Sequence, residues 1–82
     1  VTGDDFAGVS TLQQAHEALR RQWPGRLASD AAWLAHHERA AGLYAHVARV
    51  DSDHHHEALF WAAQERESAR RLVDKARDRQ EV

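Results

Sequence analysis

Residues 30–62, DAAWLAHHERAAGLYAHVARVDSDHHHEALFWA, decide the fold. Trp33, Ala40, Ala41, Tyr44, Val47 and Ala48 recur at about 100° per residue, which predicts an amphipathic helix over 30–50 capped by Ser29 or Asp30. Asp51-Ser52-Asp53 interrupts it with short polar side chains that favour caps and turns over helix interiors. Ala58, Trp61 and Ala62 then restart the stripe, and Ala69, Leu72, Val73 and Ala76 carry it on, so a further helix is expected over 53–79. Two helices joined by so short a connection pack antiparallel.

Upstream, Leu12, Ala15, Leu19 and Trp23 follow Ser10 at helical intervals, and Ser10 and Gln13 have capping-box spacing. Pro24-Gly25 stops this helix, expected over 10–23, because proline lacks the backbone donor and glycine tolerates a reversal. Residues 1–9 show no periodicity and are expected to form a flexible tail. The prediction is an all-α protein, an up-down-up three-helix bundle forming one domain over 10–82. Alanines fill much of its interior, and Trp23, Trp33, Tyr44 and Trp61 are expected to supply most of the buried area.

The chain has 82 residues, and a second core would need roughly 50 more. Cysteine is absent, which excludes disulfides, thiol catalysis and thiolate zinc sites. The formal charge is -2 and the arginines are interleaved with acids, which speaks against a nucleic-acid partner. Arg20, Arg21 and Arg26 form the one basic group from which such binding would start. No apolar run approaches the roughly 18 residues needed to span a bilayer, and no signal peptide is evident, so a cytoplasmic protein without a membrane partner is expected.

The order Trp33-Leu34-Ala35, Leu43-Tyr44, Val47-Ala48, Asp51, His54-His55, Glu57-Ala58-Leu59 and Trp61-Ala62 resembles a family of short, uncharacterised helical proteins of high-GC bacteria. The likeness covers about half the chain and implies a fold, with no established activity attached to it. Tyr44, Asp51 and Glu57-Ala58-Leu59 are also similar to helical hairpins of the tetratricopeptide and microtubule-interacting-and-trafficking type, without their glycine, proline or repetition. That likeness implies an interaction module.

Three polar residues fall within the apolar stripes: His16 between Leu12 and Trp23, His37 between Trp33 and Tyr44, and Glu65 between Trp61 and Leu72. Folding the chain back near Ser52 and near Arg26 brings all three towards one layer. Such a layer is a structural His–Glu hydrogen bond, a pH-sensitive switch, or a site for one divalent metal such as zinc with an open position. A second group, His54-His55-His56, lies at the turn. There His54 or His55 is expected to hydrogen-bond the last free carbonyls of the preceding helix, and stability is expected to weaken above neutral pH.

No serine stands in a nucleophile elbow and no glycine loop cradles phosphate, so neither an enzyme nor a small-molecule substrate is expected. Phe60 points away from the core stripe, and with Leu43, Val50 and Gly42 it is expected to mark a surface for a protein partner or a second copy. The leading expectation is a non-enzymatic helical interaction module without a cofactor; the alternative is a small metal-binding or histidine-switch protein using His16, His37 and Glu65.

Overall fold

A computed structural model describes Phe6 and residues 8–80. It contains three helices, α1 (Leu12–Arg21), α2 (Asp30–Val50) and α3 (His55–Gln80), with a single 3-10 turn (Ser52–His54) between α2 and α3. The chain runs up, down and up, and no strand is present among the described residues.

α1 and α2 each start where a side chain takes up a free amide. Thr11, one residue later than expected, caps α1 by accepting the Gln14 amide at 3.1 Å. The Gln14 side chain reaches back to the Ser10 amide at 2.8 Å. Ser29 caps α2 by accepting the Ala32 amide at 3.1 Å. α1 stops at Arg21 rather than Trp23, since the residue before a proline is pushed out of the helical region. The reversal that follows needs no left-handed residue, because no described residue has a positive φ.

α2 and α3 pack closely along a seam in which Ala40, Ala58 and Ala62 are wholly buried. α1 adds Leu12, Ala15 and Leu19 against Leu43, Tyr44, Val47 and Ala48 of α2. Small side chains let helix axes approach closely, which leaves little room for an indole between them. The expected aromatic core is therefore corrected. Tyr44 is buried, but Trp23 is 62% exposed, Trp61 is 37% exposed and Trp33 is half-buried.

α1 has 10 residues and α3 has 26, so about 15 Å of helix lies beside about 39 Å. The far half of α3 gains no cover from α1, and Val73 of the expected apolar stripe is 40% exposed there. That end is closed instead by Asp30, which pairs with Lys75 at 3.3 Å and Arg79 at 3.4 Å. Of the expected tail, Phe6 stacks on His46 and the Val9 carbonyl accepts from His46 Nε2 at 3.0 Å, so these two residues are docked rather than loose. Residues 1–5 and 7 lie outside the described residues. Among the described residues no helix is long and apolar enough to cross a membrane.

Candidate functional site

Between α1 and the α2–α3 hairpin lies an open groove of about 400 Å³, walled by Trp23, Trp33, Tyr44 and Trp61 and carrying His16, His36, His37 and Glu65. Its aromatic walls are contiguous. Trp23 meets Trp33 edge-on at 6.0 Å, and Tyr44 stacks with Trp61 at 6.1 Å. Trp61 is in turn met by Phe60 at 5.4 Å, which extends the aromatic surface outward from the groove.

Of the three residues expected to share one layer, two meet directly. His37 Nδ1 lies 3.2 Å from Glu65 Oε1, with the side chains 20% and 18% exposed. No polar or charged side chain among the described residues is fully buried, so this pair sits at the groove wall rather than in a dry interior. His16 does not join it. Its Nδ1 shares a 2.7 Å hydrogen bond with the Tyr44 hydroxyl, and its ring packs edge-on to Trp61 at 5.5 Å.

The third partner of the pair is His36, which the expected ligand set lacked. One donor atom each from His36, His37 and Glu65 fall within 4.8 Å of one another. Helical side chains lean toward the N-terminus, so residues three and four positions on both cover the same turn. Trp33 is that turn. The His36 ring stands edge-on to its indole at 5.7 Å and the His37 ring stacks on it at 5.8 Å, which brings two adjacent histidines to one side. The spacing Trp33, His36, His37 was visible in the sequence; a wheel that judged each residue only by the apolar stripe passed over it.

The electrostatics follow from burial and neighbours. Burial lowers the His36 pKa below its ordinary 6.5; the Glu65 charge opposes this, and His37 and Arg39 reinforce it. Burial also raises the Tyr44 hydroxyl to about 12, aided by the Glu65 charge, so it remains a hydroxyl facing His16.

The histidines at the turn do structural work. His55 Nδ1 donates to the Ala48 carbonyl at 2.7 Å, the expected use of a free carbonyl at the end of α2. His54 Nδ1 lies 3.0 Å from Asp51 Oδ2, and the same oxygen accepts the Leu12 amide at 3.0 Å, so Asp51 ties the start of α1 to the turn.

Among the residues expected to form an interface, Phe60 and Val50 are 54% and 49% exposed. Leu43 is corrected: it is 3% exposed and belongs to the core, because α1 covers that side of α2 and widens the apolar stripe. Gly42 is half-buried beside an open groove, with Phe6 next to it: a methyl group there would stand 3.4 Å from the phenyl ring. No protein-family model, curated protein or solved structure matches the chain.

Proposed function

We propose that this protein is a non-enzymatic helical interaction module that associates with a second copy of itself through the aromatic groove and Phe60. The observation that carries this reading is the exposure of Trp23, which lines the open groove, at 62%, and of Phe60, which meets the groove residue Trp61 edge-on, at 54%. Exposed indole and phenyl groups clustered beside a concavity are the composition of an interface centre, where aromatic anchors enter pockets on the partner. Projecting aromatics beside an open recess offer the anchor and the pocket that two copies related by a two-fold axis would exchange, each contact being made twice. The thin alanine core of an 82-residue chain would also gain stability from the added burial.

Light scattering and sedimentation over a wide concentration range test this. A mass that rises towards twice the chain mass, and that returns to the monomer value in Phe60→Ser and Trp23→Ala, is the expected result. A chain that stays monomeric at every concentration overturns self-association. The groove would then be read as a site for a different protein.

A further inference from the structure

We propose that His36, His37 and Glu65 together bind one divalent first-row transition ion of the zinc class. This inference stands independently of self-association, because it uses the wall of the groove and none of its projecting aromatics.

The donors are two imidazoles and one carboxylate, presented from two helices that pack along their length. Imidazole suits zinc, copper, nickel and cobalt, whereas calcium and magnesium prefer all-oxygen sites. Two ligands of one tetrahedral ion, each about 2.0–2.2 Å from the metal, stand roughly 3.3–3.5 Å apart. His37 Nδ1 and Glu65 Oε1 already stand at 3.2 Å, close to the separation of two ligands on one ion. The third donor lies within the 4.8 Å spread of the cluster, and His36 is half-buried with its ring against Trp33.

A metal requires unprotonated imidazole. At His37 and Glu65 the ion would take the place of the hydrogen bond between Nδ1 and Oε1. Trp33 supports both histidine rings, which limits the rotamers lost on binding. Three protein donors leave a further coordination position for water, facing the groove.

The test is calorimetric titration of zinc chloride, and separately cobalt chloride, into untagged, metal-free protein near neutral pH. One ion per chain is expected. His36→Ala, His37→Ala and Glu65→Gln should each weaken binding by about tenfold or more, while a variant with His54, His55 and His56 all changed to alanine should bind as the parent does. Paramagnetic broadening by cobalt in the unmodified protein provides a readout that no folding defect can confuse: the Trp33 indole resonance should fade well before those of Val50 and the turn histidines. Absence of stoichiometric binding, binding that follows the turn histidines, or broadening centred on the turn overturns the site. A monomer that binds zinc retains this site and loses only self-association.

Discussion

His37 and Glu65 meet at 3.2 Å across the α2–α3 seam, although 28 positions separate them in sequence. The neighbouring seam is lined by alanines, and uniformly small side chains specify the relative height of two helices poorly. A directional hydrogen bond in mid-hairpin specifies it well, and Asp30 with Lys75 and Arg79 fixes it again at the far end. Glu65→Ala should therefore cost about 1 kcal/mol in urea unfolding, with a melting temperature lower by about 4–8 °C for a domain of this size. Glu65→Gln keeps an acceptor and should cost less than half as much. Equal midpoints for parent and Glu65→Ala would mean that the contact contributes nothing to the fold.

Two sets of histidines make opposite contributions to stability against pH. The Asp51 hydrogen bond, then its charge, raises His54 above 6.5, so its contribution is complete below 6.5 and is lost as pH rises through the raised value. Asp51 is held below 3.8 by the Leu12 amide first and His54 second, so its contribution is complete above 3.8 and is lost as pH falls through the depressed value. His36 behaves in the opposite sense to His54. Burial lowers it, so its contribution is present above 6.5 and is lost as pH falls through the lowered value. The His36 slope lies below 6.5 and the His54 slope above it, so together they place a stability maximum near that pH. Asp51→Asn should leave stability rising up to 6.5 and flat above it, and His36→Gln should leave it flat below 6.5 and falling above it, measured by urea midpoints at each pH.

The three helices and their order were legible because each has a long apolar period and a capping residue, and both survive any tertiary arrangement. His37 and Glu65 were legible for a related reason: a tight turn at Ser52–His54 fixes the register of α2 on α3 by counting back along both helices. His16 was not, because eight residues separate Arg21 from Asp30 and leave the height of α1 free by about a turn. The expectation that Leu43 marks a surface rests on an apolar stripe set by one neighbouring helix. α2 has two neighbours, and its buried face widens to include Leu43 under α1. The exposure of Trp23 depends on how closely alanine lets α2 and α3 approach, a three-dimensional quantity that periodicity does not encode.

The interior is sensitive to volume in both directions. Val47 is wholly buried and is the largest such side chain, so Val47→Ala should cost about 1.5–3 kcal/mol through lost burial and the void left behind. Ala62 is wholly buried in the α3 face of the core, where added carbons have no space, and Ala62→Leu should cost about 1–3 kcal/mol by overpacking. Chemical unfolding of both variants checks the pair. A stabilised Ala62→Leu would show that the seam is looser than its burial indicates.

Gly42 allows the covered face of α2 to be separated from the proposed contact surface. It lies in mid-helix with an ordinary negative φ, so glycine there carries an entropic cost of about 1 kcal/mol relative to alanine with no conformational need for it. A methyl group would approach only the far end of the Phe6 ring, at 3.4 Å, and the nearest ring atom after that is at 3.7 Å. Contact at that distance is ordinary, and a phenyl ring at its tip can shift by tenths of an ångström. Gly42→Ala should accordingly stabilise the protein by about 0.5–1 kcal/mol in urea unfolding. It should leave the concentration dependence of the mass unchanged, because Gly42 adjoins Phe6 whereas Trp23 lines the aromatic groove and Phe60 adjoins Trp61. Destabilisation would mean that Phe6 packs on α2 too rigidly to yield; a change in mass would place the intermolecular contact on the Gly42 face instead.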